Sequence, residues 1–330
     1  MPSMNEPDRD ITYILHWGDL TDSVRMLVAA KTIRAAHKRD RIVLLTTPEF
    51  ESFLKHCPFF NAVETDVQPE TRPAQQMRDK RLKSAKVTRV YDLVGSSESR
   101  KLKRALKVKR DMWIDVQTDP RSGQHPIDEL AGRIGAITGL GESFYKLGAA
   151  PAPDASWVDY LAKQSRMLDP AYFGLNGPFA LLAPSGEGVK PAQRWPKERW
   201  ASLSHELIQA GITPALIGGP DTREVGRYVA HVTPGATDIT GKAKLTQLAG
   251  LARHARFVFT EETPLMHLLV AAGPPALVLY SSDEDPVLRA PRSEAPVILM
   301  HTPTLAAVSP TEAMAAMKFA GGFESRSTAG

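Results

Sequence analysis

A polar turn between two apolar runs carries the first chemistry legible in this chain. In FVFTEETPLMHLLVAAGPPALVLY, residues 257–280, an apolar strand gives way to a turn at Thr260–Thr263, and Pro264 stands where a first helical residue would. Proline is tolerated there because its φ is already helical and the missing N–H would have had no intrahelical partner. A helix starting at Pro264 aims its positive end at the turn, so the amides of Leu265 and Met266, with the Thr263 hydroxyl, suit a diphosphate. An ordinary strand-to-helix turn has the same spacing, and both readings stand. A second chemical feature is cationic: seven of the eleven residues in Arg100–Arg110, RKLKRALKVKR, are basic, and Arg78, Lys80, Arg81, Lys83 and Lys86 extend the cluster. Such a segment fits an anionic membrane surface, an acidic glycolipid or nucleic acid. It fits a solvated helix face equally, with Leu102, Ala105 and Leu106 as a narrow apolar stripe.

The elements that must position these residues follow from the bulk numbers and the periodicity. At 330 residues, 42% hydrophobic and 24% charged, the chain has the composition of a soluble globular protein and the length for two domains. Its single cysteine, Cys57, excludes an intrachain disulfide and a cysteine metal cluster, which fits a reducing cytoplasm. MPSMNEPDRD lacks the basic and then apolar pattern of a secretory signal. The longest apolar run, Leu268–Tyr280, is too short to span a membrane and holds Gly273, Pro274 and Pro275, so the expected membrane contact is peripheral.

Strand and helix patterns alternate along the first half: strands at 12–16, 42–46, 62–64, 87–94 and 112–116, and helices after Leu20, at 49–56 and at 126–140, the last ending at Gly139 or Gly141. Prolines 151, 153, 170 and 178 surround one helical piece at 156–167 and mark the connection between domains. The alternation restarts with strands at 179–183, 213–217 and 237–239 and helices at 197–210, 221–229 and 245–255, and then reaches the unit at 257–280. The expected fold class is α/β, with two consecutive doubly wound domains facing a central cleft. The expected boundaries are 1–165 for the first domain, 166–178 for a linker, 179–318 for the second domain and 319–330 for a flexible tail.

Several segments in order bear on function: PSGEGVKPAQRWPKERW at 184–200, IGGPD at 217–221, ITGKAKL at 239–245 and the TEETPLMHL turn. In the first half stand WGDLTDSV, LLTTPEF, HCPFFNAV, YDLVGS and HPIDELAGRIGAITGL. Together, from about residue 12 to about residue 282, they resemble glycosyltransferase family 9, the heptosyltransferases of the bacterial lipopolysaccharide inner core. The resemblance implies a GT-B fold of two Rossmann-like domains and inverting sugar transfer from a nucleotide-diphosphate donor, usually ADP-heptose, without metal or other cofactor. The acceptor goes to the N-terminal domain and the donor to the C-terminal one. Inverting transfer needs a base for the acceptor hydroxyl. Asp19 matches the family's base, although an aspartate between strand and helix is also a common N-cap.

Carried over by position, the donor set is Ser185, Lys190, Gln193 and Arg194 from the first segment, Gly218, Gly241 and Lys242 from the next two, and Glu262, Thr263, Leu265, Met266 and His267 from the turn. The acceptor set is Gly18, Thr21, Ser96, Arg100, Lys101, Arg104 and His125. Three positions depart from the family. Gln193 stands where a lysine usually neutralises the leaving diphosphate, so either Lys190, Arg194 or Lys197 supplies that charge or the phosphate is stabilised more weakly or by a different arrangement. Glu262 replaces aspartate, and Pro264 replaces a glycine and removes one donor. Trp195 and Trp200 suit core anchors of the helix or sugar platforms, and His267 suits a packed helix residue more than a ligand.

The leading expectation is a cytoplasmic transferase, peripheral at the inner face of the inner membrane. It takes a nucleotide-sugar donor and an anionic glycolipid or glycan acceptor, and no nucleic acid, since the basic run lacks interleaved aromatics. The alternatives are a non-catalytic sugar-nucleotide binder or partner subunit, and a GT-B-type sugar-nucleotide epimerase.

Overall fold

The computed structural model describes residues 10–65, 67, 71–106, 108–119, 121–141, 151–162, 165–281 and 285–321. The contacts divide the chain into two units, 1–151 and 152–330. The first unit runs β1 (Ile11–Leu15), α1 (Leu20–Ala36), β2 (Arg41–Leu45), α2 (Pro48–Leu54), β3 (Ala62–Glu64), α3 (Arg72–Ser84), β4 (Arg89–Asp92), α4 (Ser97–Leu106), β5 (Trp113–Asp115) and α5 (Pro126–Thr138). Its strands form one sheet in the order β3-β2-β1-β4-β5, and every pair is parallel. A parallel sheet covered on both faces needs near-continuous apolar strands, and ITYIL and RIVLL supply them. Register aligns Leu15 with Leu45 and with Asp92, so β1, β2 and β4 end at one edge.

The second unit opens with α6 (Val158–Ala162). It continues through β6 (Phe179–Ala183), α7 (Lys197–Gln209), β7 (Thr213–Leu216), α8 (Arg223–Val232), β8 (Thr237–Asp238), α9 (Leu245–His254), β9 (Val258–Glu261), α10 (Pro264–Ala271), β10 (Ala276–Ser281), α11 (Pro286–Arg289), β11 (Val297–Thr302) and α12 (Pro310–Phe319). Its all-parallel sheet has the order β11-β10-β9-β6-β7-β8. In both sheets the chain reverses its direction of winding beside the first strand, between β1 and β4 and between β6 and β9. Ligand crevices of open parallel sheets form outside the carboxyl ends of strands at such points.

The division between units falls at Pro151/Ala152 rather than at residue 165. The helix α6 packs on α9, with Arg253 donating to Asp159 at 2.6 Å, and so belongs with the second unit. Residues 166–178, expected as a linker, fold into two short 3-10 turns, Arg166–Leu168 and Pro170–Phe173, and Gln247 donates to Met167 O at 3.0 Å. The tail beyond residue 321 lies outside the described residues. The elements not anticipated are α3, α11, β11 and α12. Ser309 and Glu312 close a capping box on α12, whose Met314 and Met317 enter the core below β10.

One face of the second sheet rests on three aromatic rings. Trp195, Trp200 and Phe259 meet edge to face with centroids 5.0–5.1 Å apart, and Trp195 Nε1 donates to Val308 O at 2.9 Å. The tryptophans are therefore core anchors, and Trp200 is completely buried. Trp200→Ala is expected to cost about 3–5 kcal/mol of stability, the range for a large buried aromatic, measured by urea unfolding followed by circular dichroism.

Candidate functional site

In the second unit the strand ends at the switch point are held by a buried carboxylate. Glu261 closes β9 at 1% exposure, with Oε2 accepting from Ser185 N at 2.8 Å and Oε1 from Trp195 N at 2.7 Å. Both ends of the Ser185–Trp195 loop are thereby tied to one side chain. Burial pushes the Glu261 carboxyl up, while the Ser185 and Trp195 contacts and the Trp200 side chain oppose that shift. Among the described residues the Ser185 hydroxyl and the Trp200 indole N–H close no hydrogen bond of standard geometry. Sequence reasoning chose Glu262 and passed over its neighbour. The period of two in β9 was the available signal, because it turns adjacent side chains to opposite faces.

A pocket of about 330 Å³ opens beside this latch, and its lining includes Ser185, Arg194, Trp195, Lys197, Glu224 and Glu261. Lys197 is paired with Glu224 at 2.7 Å and stands 5.0 Å over the Tyr228 ring. Arg194, also lining the pocket, closes no ion pair among the described residues. Of the three cations expected to supply the charge that Gln193 lacks, Lys190 is exposed outside this lining, Lys197 is paired with Glu224, and Arg194 lines the pocket with its charge also acting on Glu224.

The remaining donor candidates lie on neighbouring loops of the same sheet edge. Gly241 N donates to Gly218 O at 2.9 Å, joining the loops after β7 and β8. Gly218, at φ +146°, presses so closely on Thr222 that an added Cβ would lie 2.4 Å from its hydroxyl. Lys242 is drawn back onto Asp238, at 3.2 Å from Oδ2, and Glu262 pairs with Arg289 at 2.8 Å. At the start of α10 the Thr263 hydroxyl is buried without a hydrogen-bond partner among the described residues, the kind of orphaned donor a phosphate oxygen would satisfy. Met266 N is already turned onto Thr263 O at 3.1 Å, leaving less of the helix start for an anion than expected. The side chains of Met266 and His267 are buried, Met266 against Val278 and Tyr280. Leu265 packs at the edge of the core on the other face.

In the first unit, Asp19 caps α1 by accepting from Asp22 N at 2.9 Å and is itself exposed. A second pocket, of about 300 Å³, lies at the β1–β4 switch point, lined among others by His16, Gly18, Asp22, Arg25, Val94 and Thr118. Gly18 is the acceptor candidate that lines it; Thr21, Ser96, Arg100, Lys101 and Arg104 do not. Arg100, Lys101 and Arg104 project into solvent from α4, while Leu102 and Leu106 enter the core, so the run does form a solvated helix face with an apolar stripe. That helix packs on the equally basic α3. His125 is 4% exposed, and its Nδ1 accepts from Ile127 N at 3.1 Å, which makes it the cap of α5. His16, Asp22 and Arg25 were passed over in the sequence. Among the described residues no three His, Cys, Asp or Glu side chains cluster as a metal site, and no helix is long and apolar enough to cross a membrane.

Burial pushes His16 down to about 4, with the Asp19 charge opposing. The imidazole is therefore neutral in the fold, while the unfolded chain takes up its proton near 6.5. The unfolded state binds more protons between those values, so this residue's contribution to stability falls as pH drops from about 6.5 to about 4. His16→Asn is expected to shrink the difference in urea-unfolding free energy between about pH 7.5 and about pH 4.5. Glu261→Gln, which sets an NH2 against a loop amide, is expected to cost about 1–3 kcal/mol, read by the same unfolding experiment at neutral pH.

The second unit carries the sequence pattern of a known family. The sequence profile of glycosyltransferase family 9 (heptosyltransferase) matches residues 143–317, over half of the chain. The lipooligosaccharide heptosyltransferase 2 of Haemophilus influenzae is 28% identical over 139 residues, covering 41% of this chain and 38% of that protein. The match thus spans well under half the length of that relative. Among solved structures, the family 9 glycosyl transferase of Veillonella parvula superposes with a TM-score of 0.77 at 17% identity, covering 96% of this chain and 98% of the other. The ADP-heptose lipopolysaccharide heptosyltransferase II of E. coli gives 0.75 at 17% identity, covering 94% and 98%. The fold is accordingly that of the GT-B glycosyltransferases, two Rossmann-like units, and the chain belongs to glycosyltransferase family 9.

Proposed function

We propose that this protein transfers a heptose-like sugar from an ADP-sugar to a lipopolysaccharide core or related surface glycan, with inversion at the anomeric carbon and without a metal ion. The observation that carries the reading is the pocket beside the Glu261 latch. There Arg194, the residue after Gln193, lines the pocket, and the Thr263 hydroxyl, buried without a hydrogen-bond partner among the described residues, lies on a neighbouring loop of the same sheet edge. In this reading Arg194 and the start of α10 meet the diphosphate, whose negative charge grows as the sugar departs, and fixed donors stabilise it without reorganisation. Ser185, Gly218 and Gly241 bring backbone close to the nucleotide. Asp19 acts as the base for the acceptor hydroxyl, its carboxylate held at the start of α1 by the capping bond.

The exposed cations of α3 and α4 are assigned to the acceptor side, where they meet phosphorylated glycolipid at an anionic bilayer surface. That contact makes the protein a peripheral one at the cytoplasmic face. In the family the matched heptosyltransferases are named for lipopolysaccharide and lipooligosaccharide, and one solved relative, an E. coli heptosyltransferase, is described with ADP. Those names supply the donor and acceptor proposed here.

The test is calorimetric titration with ADP-, GDP-, UDP- and CMP-linked sugars. ADP-heptose is expected to bind best, and Arg194→Ala to weaken it by about ten-fold, the loss of one charge-assisted contact of about 1.4 kcal/mol. Preference for another nucleotide overturns the donor assignment. Binding without transfer or donor turnover points to a non-catalytic binder, and isomerisation of the donor alone points to an epimerase.

A further inference from the structure

The pocket beside the Glu261 latch carries its own counter-charges. Its titratable lining consists of two cations, Arg194 and Lys197, and two carboxyl groups, Glu224 and Glu261. The Glu261 oxygens are committed to the amides of Ser185 and Trp195, and that side chain is buried. Glu224 is placed differently. It stands on the first turn of α8 with 54% of its side chain exposed, and its Oε1 accepts from Lys197 Nζ at 2.7 Å. Lys197 is the first residue of α7 and is 37% exposed, so both members of the pair meet solvent at the pocket wall.

The charges of the lining act on one another. The hydrogen bond and the charge of Lys197 hold the Glu224 carboxyl below its ordinary range, burial opposes, and the Arg194 charge adds to the lowering. One carboxylate therefore answers both cations. An ion pair between two solvent-exposed side chains contributes little to stability, and another anion exchanges for the carboxylate at small cost. Two features of the site survive that exchange. Tyr228, four residues beyond Glu224 and on the same face of α8, has its ring centroid 5.0 Å from Lys197 Nζ and retains the ammonium by a cation–π contact. The Ser185 hydroxyl lies in the same lining at 4% exposure, closes no hydrogen bond of standard geometry among the described residues, and is a donor for a ligand oxygen.

We infer that Glu224 is a tethered stand-in for the diphosphate of the donor: it occupies Lys197 while the pocket is empty, and an incoming diphosphate displaces it and is shared by Lys197 and Arg194. The inference rests on the proposed reading of this pocket as the diphosphate site, and it names Lys197 as the second cation of that site. The tether keeps the competing carboxylate at a high local concentration. A ligand gains from the cations only by carrying more negative charge than the single carboxylate it removes, so the pair favours a diphosphate over a neutral nucleoside or a free sugar.

The test is calorimetric titration of wild type, Glu224→Gln, Lys197→Met and the double variant with inorganic pyrophosphate, ADP and adenosine, urea unfolding serving as the check on folding. Glu224→Gln is expected to bind pyrophosphate and ADP about two- to five-fold more tightly, the release of one exposed ion pair, and to bind adenosine as wild type does. Lys197→Met is expected to weaken both anions, and by a larger factor in the Glu224→Gln background, where the ammonium has no internal partner to lose. Pyrophosphate binding that is unchanged, weaker or absent in Glu224→Gln overturns the inference. Weaker ADP binding with unchanged pyrophosphate binding places Glu224 on the nucleoside and overturns it as well, and so does an equal gain for adenosine, which reports a change of shape rather than of charge. A wild type that shows the expected pyrophosphate pattern but transfers no sugar contradicts the transferase reading and leaves the role of Glu224 standing.

Discussion

The second unit depends on one buried contact, the carboxylate of Glu261 bound at both oxygens by loop amides. A charged or strongly polar group at 1% exposure is tolerated only where its hydrogen-bonding capacity is met. Here two amides meet it from positions distant in sequence, and a whole loop is fixed as a consequence. The loop brings Arg194 to the pocket and Trp195 to the core, so the same segment is anchored on one side and lines the pocket on the other. Removing the carboxylate would leave two buried amides unpaired, which costs more than the bonds contribute when made.

The first unit solves the same topological problem differently. Its switch point is occupied by a glycine, a capping aspartate and a buried neutral histidine. The backbone there stays open because Asp92, at the end of β4, bonds the amides of Val94 and Gly95 at 3.0 Å and turns the chain away. Both sheets therefore present loops at their carboxyl edges, as winding order requires, but one crevice is built beside a buried carboxyl that ties down a loop and the other beside a buried histidine, Asp22 and Arg25.

Much of the architecture was legible because parallel strands buried on both faces write themselves as short apolar runs, and FALLA, RIVLL and ALVLYS are such runs. Helix boundaries with proline starts, such as α5 and α10, were legible for the same local reason. The edge strand β11 was not, since VILMHT is only half-buried along its length and follows a proline-rich stretch without a turn signature. The basic segment that became α3 lacked periodicity because only Leu82 of that helix is buried. At the sites, residue types were legible and side-chain direction was not. Glu262 and Lys242 are engaged with neighbouring side chains, His125 caps a helix, and Glu261, His16 and Asp22 acquire their roles only from the register of strands far apart in sequence.

The central claim is that this family 9 chain moves a sugar from an ADP-linked donor onto a glycolipid. The most direct measurement is mass spectrometry of a heptose-deficient lipopolysaccharide core after incubation with the protein and ADP-heptose, with ADP release followed in the same reaction. The account predicts an acceptor heavier by one heptose and one ADP released for each sugar transferred. An unmodified acceptor, with the donor intact, hydrolysed or converted to an isomer, would contradict it.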